Sequence, residues 1–275
     1  MDYYANRSAA ITGAGSGIGR ALAQRLSQAG CRLWLSDINQ ASLEATRDSL
    51  AHPEHCSLSR VDVADRAAVQ SWAGEVAAET PHLDLLVNNA GVALMAPVRD
   101  MRYEDFHWLM DINFWGVAHG CSAFLPLLER AERAQLVNIS SVFGLIGVPT
   151  QAAYNASKFA VRGYSEALRQ ELELSGSRVR VTCVHPGGIA TDIARNARSS
   201  YPGATPDTQH QDFIRHVRTS AEDAARQILK AAQRRKPRLL LGPDARFLGL
   251  LLRLFPVSYP RLLPLLRDAM QDPVP

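Results

Sequence analysis

The sequence predicts an α/β protein built on one doubly wound parallel sheet of about seven strands, with helices on both faces. Three observations predict it. Short β-like runs alternate with longer helical patterns through most of the chain, the mark of βαβ units. A glycine-rich turn sits between the first such run and the first helical stretch. No internal repeat or low-complexity segment interrupts the alternation. Right-handed crossovers then give the doubly wound arrangement.

The predicted strands are Ser8–Thr12, Arg32–Ser36, Leu58–Val61, Leu83–Val87, Gln135–Ile139, Val179–Val184 and Arg238–Leu241. Helical stretches fall near 18–29, 40–51, 66–79, 102–130, 151–175 and 220–234. Sites in such folds lie at the carboxyl ends of the strands, so the residues that follow each strand carry the functional reading.

After the first strand comes Thr12-Gly13-Ala14-Gly15-Ser16-Gly17-Ile18-Gly19. Its glycines let the backbone turn sharply and approach a pyrophosphate. The helix N-terminus offers free N–H groups and partial positive charge to that anion. The second strand ends at Asp37, 18 residues beyond Gly19. A carboxylate there accepts hydrogen bonds from the adenosine ribose and repels the extra phosphate of NADP. No Arg or Lys follows it directly, and Ser16 holds a loop position where a base would have helped. The expectation is NAD rather than NADP. Asp62 and Val63 follow the third strand. Asp62 either receives the adenine amino group or caps the next helix.

The fourth strand runs into Asn88-Asn89-Ala90-Gly91, whose small residues and amides suit close passage beside a cofactor. The fifth ends in Ser140-Ser141, and 13 residues after Ser141 stands Tyr154, followed at i+4 by Lys158. Tyrosine and lysine at that spacing share one helix face. Taken together, these motifs are similar to those of the short-chain dehydrogenase/reductase family. The matching elements are Thr-Gly-x-x-x-Gly-x-Gly at 12–19, Asn-Asn-Ala-Gly at 88–91, Ser141, Tyr154-x-x-x-Lys158 and Pro186-Gly187, in family order across about residues 5–242.

The resemblance implies a single-domain Rossmann-type fold, a nicotinamide cofactor and carbonyl–alcohol interconversion. It places the general acid/base on Tyr154, the substrate oxygen against Ser141 and the nicotinamide ribose against Lys158. Asn113 matches the helix residue of a proton-relay water. The cofactor set it implies is Gly13, Gly15, Ser16, Gly17, Ile18, Gly19, Asp37, Asp62, Val63, Asn89, Ala90, Gly91, Tyr154, Lys158, Pro186, Gly187, Ile189 and Thr191. Strand alternation lets only one of Ser140 and Ser141 point into the site. A free tyrosine, with a pKa of about 10, is a poor base at neutral pH, and the lysine ammonium and the positive nicotinamide both favour the phenolate.

Leu94, Phe143 and Gly188 are predicted to line the substrate together with Ser141 and Tyr154. The expected walls are mostly apolar, which favours a lipophilic secondary alcohol or ketone. Residues 192–216 read as a lid within a catalytic domain of residues 1–242. Its arginines, Arg195 and Arg198 among them, are expected to be solvated rather than to meet a substrate tail. His185 reads as a bystander. The alternatives are an NADPH-dependent 3-oxoacyl reductase of lipid synthesis and a dinucleotide-binding scaffold without turnover. The family's pairing of long helices predicts a homodimer or homotetramer.

Residues 243–275 form a Leu-, Pro- and Arg-rich extension. Twelve leucines fall between Leu239 and Leu266, with Arg246, Arg253, Arg261 and Arg267 among them and no acid from 245 to 267. Pro256, Pro260 and Pro264 predict short helical pieces. The extension either packs on the same domain or a partner, or lies in a membrane surface with arginines up and leucines down. Thirty basic against 27 acidic residues, a net charge of +3, is too balanced to predict nucleic-acid binding. The four scattered cysteines lack metal or disulfide spacing and predict reduced thiols, no metal and a cytoplasmic protein, peripheral at a membrane if the extension touches one.

Overall fold

The computed structural model describes residues 2–200 and 219–262. Seven strands form the sheet: β1 (Ser8–Thr12), β2 (Arg32–Asp37), β3 (Cys56–Arg60), β4 (Leu85–Asn88), β5 (Gln135–Ile139), β6 (Arg180–Pro186) and β7 (Arg238–Leu241). Their spatial order is β7-β6-β5-β4-β1-β2-β3, and every pair is parallel. The chain starts mid-sheet, winds outward to β3, then returns past β1 to continue from β4. The winding reverses between β1 and β4, the switch point at which folds of this kind place their ligands.

The helices are α1 (Gly17–Gln28), α2 (Gln40–Asp48), α3 (Arg66–Glu79), α4 (Tyr103–Met110), α5 (Gly116–Glu129), α6 (Ala152–Leu174), α7 (Ala221–Gln233) and α8 (Pro243–Leu254). Both sheet faces are covered, so the central strands are buried on both sides and carry continuous apolar runs. Alternate residues divide between two cores. Ile11, Leu33, Leu35 and Val87 meet Leu22, Leu26 and Ile228 on one face. Ala10, Trp34 and Leu86 meet Trp72, Val76, Phe124 and Val161 on the other. Trp72 and Phe124 meet edge to face with centroids 4.8 Å apart. Each such fully buried large side chain is worth about 2–3 kcal/mol.

Several elements differ from their sequence reading: β3 begins at Cys56 rather than Leu58, β4 begins at Leu85 rather than Leu83, and α2 ends at Asp48 rather than at 51. The stretch expected as one helix over 102–130 contains a π turn at Asp111–Trp115 between α4 and α5. Asn113 sits in that turn, and its amide is clamped to the loop after β4. β6 runs on to Pro186 because β7 pairs along it as far as Leu241. The extension forms short pieces, as its prolines predict: α8 opens with Pro243, ends before Pro256, and is followed by a helical turn at Tyr259–Leu262. Residues 201–216 of the expected lid and residues 263–275 of the extension lie outside the described residues.

All four cysteines are free: Cys31, Cys121 and Cys183 are buried and Cys56 is partly so. Burial pushes each thiol above its ordinary value. Among the described residues no cluster could hold a metal ion, and no helix is long and apolar enough to cross a membrane.

Candidate active site

The loop after β1 is shaped by its own backbone. Gly13 has φ +63°, and a Cβ there would sit 2.7 Å from Ala90 Cα. A Cβ on Gly19 would sit 2.2 Å from the Gly13 carbonyl oxygen. Only glycine permits both approaches. Thr12 and Asn89 stitch the loop to its neighbour after β4. Asn89 N–H and Ala90 N–H donate to Thr12 Oγ1 at 3.0 and 3.1 Å, and Asn89 Nδ2 donates to the Thr12 and Gly13 carbonyls. Ser16 precedes α1 without a side-chain cap, so the first-turn N–H groups of Gly17, Ile18 and Gly19 have no intrahelical acceptor. That is an anion cradle.

Asp37 lies at the mouth of the cradle. Its Oδ2 accepts from Gly15 N–H at 2.8 Å, and its Oδ1 accepts from Asn39 N–H at 3.0 Å. The carboxylate is therefore fixed in place by the loop it guards. Asp62 is exposed and accepts from Ala64 N–H at 3.0 Å, while the cap of α3 is Asp65. Of the two readings of Asp62, helix capping is thus taken by another residue. Val63 is buried against Gly116.

Ser141, Tyr154 and Lys158 converge at the carboxyl end of β5. Ser140 turns away, its hydroxyl donating to the Lys158 carbonyl at 2.8 Å. Ser141 Oγ accepts from Phe143 N–H at 3.1 Å. Phe143 meets the Tyr154 ring edge to face. Lys158 Nζ stands 5.7 Å from that ring's centroid and donates to the Ile139 carbonyl at 3.2 Å. It is nearly fully buried, and burial lowers its pKa to about 8. Burial likewise pushes Tyr154 up to about 12, with Ser141 pulling the other way. The sequence argument invoked the lysine together with the positive nicotinamide; in the chain by itself burial holds Tyr154 as a phenol.

Asn113 is wholly buried, with its amide fully engaged. Oδ1 accepts from Val92 N–H at 2.8 Å, and Nδ2 donates to the Val92 carbonyl and Ser157 Oγ. A Cβ on Gly91 would lie 3.2 Å from Asn113 Oδ1 and 3.4 Å from Lys158 Nζ, which places all three side by side. Leu94 is 1 % exposed. It belongs to a small apolar cluster with Ala96, Leu109 and Ala153 on which Tyr154 rests. It therefore backs the site rather than opening onto it.

The loop after β6 closes the other side. Pro186 and Ile189 are buried, and Thr191 lies against Gly17. The chain belongs to the short-chain dehydrogenase/reductase family. The family model for short chain dehydrogenase matches residues 7–202. The oxidoreductase SadH of Mycobacterium tuberculosis is 43% identical over 264 residues, 95% of each chain. The 3-ketodihydrosphingosine reductase of Bacteroides thetaiotaomicron is 33% identical, covering 76% of this chain and 73% of that one. A short-chain dehydrogenase/reductase of Burkholderia phymatum, solved in complex with NAD, superposes with a TM-score of 0.84 at 31% identity, covering 93% of this chain and 95% of that one. The protein is thus a Rossmann-type oxidoreductase, and the cradle, the fixed carboxylate and the buried lysine fit a nicotinamide dinucleotide.

Sequence reasoning passed over four residues of this dehydrogenase's site. Asn155, inside the Tyr-x-x-x-Lys motif, donates to the Phe143 and Ile146 carbonyls and accepts from Val148 N–H at 3.0 Å, folding the loop after β5. His185, read as a bystander, is completely buried with Nδ1 3.0 Å from the Ser141 carbonyl. Burial lowers its pKa to about 4, so it is neutral and Nδ1–H donates to that carbonyl. Asp244 Oδ2 accepts from Gly188 N–H at 2.7 Å. Tyr259 Oη accepts from Gly147 N–H at 2.8 Å and donates to the Gly147 carbonyl at 3.2 Å. Asp244 was findable, because the residues after the seventh strand deserved the same reading as those after the first six. Tyr259 carried no signal. Arg198 is engaged, pairing with Asp105 at 2.7 Å and lying 3.7 Å over the Trp108 ring.

Proposed function

We propose that this protein interconverts a secondary alcohol and a ketone on a lipophilic small molecule, with NAD(H) as its cofactor. The observation that carries the reading is the cluster of Ser141, Tyr154 and Lys158 at the sheet's carboxyl end, beside a glycine cradle guarded by Asp37. When bound, the nicotinamide supplies or accepts the hydride. Ser141 Oγ holds the substrate oxygen, and Tyr154 gives that oxygen a proton in reduction or takes one in oxidation. Lys158 binds the nicotinamide ribose and places a positive charge beside the phenol. Asn113 acts through its grip on Val92 and Ser157, which holds Lys158 and the loop after β4 in register.

Held as a phenol, Tyr154 is an acid in the chain by itself. Oxidation requires the phenolate, which the Lys158 ammonium and the positive charge of oxidised nicotinamide both favour. The relatives named above support a keto-compound substrate, since one of them is named a 3-ketodihydrosphingosine reductase. Asp37 disfavours the NADPH-dependent alternative, because its carboxylate would face the added phosphate. Half-exposed Trp115 and Phe159, on the α5 and α6 side, support a homo-oligomer joined through those helices.

The test is the absorbance of reduced nicotinamide with a panel of lipophilic secondary alcohols and ketones, using NAD(H) and NADP(H) in parallel. Turnover is expected with NAD(H), and Tyr154→Phe should retain NADH binding while losing about 10²–10⁴ in rate. Near-normal turnover in Tyr154→Phe, or a preference for NADP(H), would overturn the assignment.

A further inference from the structure

We propose that the outward face of α8 and the turn that follows it docks on an anionic lipid surface. Six large apolar side chains stand exposed within 16 residues: Phe247, Leu250, Leu254, Phe255, Val257 and Leu262. Leu254 is 62 % exposed and Val257 87 %. Single exposed apolar residues are ordinary, but a contiguous set marks a contact surface. At roughly 100° per residue, Arg253, Arg246, Leu250, Leu254 and Phe247 fall within an arc of roughly 120°. The opposite arc holds Ala245, which is buried, and Leu248 and Leu252, which are partly so. One face of the helix is thus spent on the protein and the other is left apolar with an arginine edge.

The charge pattern selects the occupant. Arg246, Arg253 and Arg261 are exposed on this surface, and residues 245–267 contain no acid. Arg246 has a neutral partner, Gln227 Oε1 at 3.1 Å. The nearest acid in sequence, Asp244, lies outside this arc and is engaged with Gly188 N–H. A two-fold contact made by this face with its own copy would bring arginines and leucines together with no carboxylate from residues 245–267 to pair the arginines. Lipid acyl chains and anionic headgroups complement both halves of the face. No described helix can span a bilayer, so the contact is made from the side. Tyr259 joins this surface to Gly147, so the docked face is continuous with the loop that carries Phe143.

The inference does not depend on which alcohol is oxidised, and it is tested by binding alone. Full-length protein would be sedimented with vesicles of phosphatidylcholine, with and without phosphatidylglycerol. Binding is expected only with the anionic lipid and should weaken at high salt. Leu250→Ser with Leu254→Ser should cut partitioning at least about tenfold. Arg253→Gln with Arg261→Gln should cost about fivefold per arginine. Both variants should keep the wild-type melting temperature and native mass. No binding to anionic vesicles, or equal binding by wild type and variants, overturns the proposal. So does a fall in native mass on replacing the two leucines, which would make this face a subunit contact.

Discussion

The two sides of the site are built differently. The nucleotide side, after β1, β2 and β4, is closed by residues that immediately follow its own strands. Asn89 bonds Thr12 and Gly13, and Asp37 bonds Gly15, each across adjacent strands. The substrate side, after β5 and β6, is held by residues that lie beyond the last strand. Gly188 is fixed by Asp244, 56 residues on, and Gly147 by Tyr259, 112 residues on. Backbone strain follows the same division. The nucleotide loop takes its left-handed turns at Gly13 and Gly17, whereas the segment before α6 forces Thr150, a β-branched residue, to φ +64°. A dinucleotide has a constant shape and can be met by the loops that end the strands beside it. A substrate wall is shaped by whatever distant segment the chain brings against it.

The contrast can be broken or sharpened by substitution. The largest effect is expected on the nucleotide side. Gly19→Ala places a methyl against the Gly13 carbonyl and should cost about 3 kcal/mol of stability with loss of NADH binding, read by fluorescence titration. Wild-type NADH affinity in that variant would show that the loop tolerates a shift the geometry forbids.

Next is Lys158, a buried cation whose pKa is lowered from 10.5 to about 8. The unfolded chain keeps that proton up to pH 10.5, while the folded chain releases it from about pH 8. Wild-type stability should therefore climb between those limits and carry a penalty of about 3 kcal/mol below them. Lys158→Met should lose turnover, melt higher at neutral pH and lack the alkaline climb. A lower melting temperature would mean the lysine stabilises the fold, against this reasoning.

Smaller changes probe the substrate side. Asp244→Ala removes a charge-assisted bond worth about 2 kcal/mol. It should lower kcat about tenfold with little change in NADH affinity, and Asp244→Asn should restore part of the rate. Equal losses in NADH binding and kcat would erase the distinction between the two sides. Tyr259→Phe is the mildest, at about 1 kcal/mol. A severalfold rise in substrate KM at constant kcat is expected, and an unchanged KM would detach the extension from the substrate loop.

Much of this molecule was legible before folding. The seven strands and most of the helices follow from periodicity, and the set of motif residues at the strand ends from the family resemblance. What was not legible has a common cause. The π turn at Asp111–Trp115 depends on Val92, 21 residues from Asn113, receiving a clamp from its amide. The neutrality of His185 and the raised pKa of Tyr154 depend on burial, which no single motif encodes.

The sequence by itself determined the parallel α/β sheet, the glycine cradle, the carboxylate at Asp37 and the pairing of Tyr154 with Lys158. The cradle and the Tyr154–Lys158 spacing each rest on one local turn or helix, and the sheet and the place of Asp37 on the order in which strands and helices alternate along the chain. Only the tertiary structure decided that Leu94 backs the site, that Asp244 and Tyr259 hold Gly188 and Gly147, and that the extension leaves an apolar face with an arginine edge outside. Those outcomes depend on which distant segments meet and which surface remains after they have, and burial and long-range contact are properties of the packed chain.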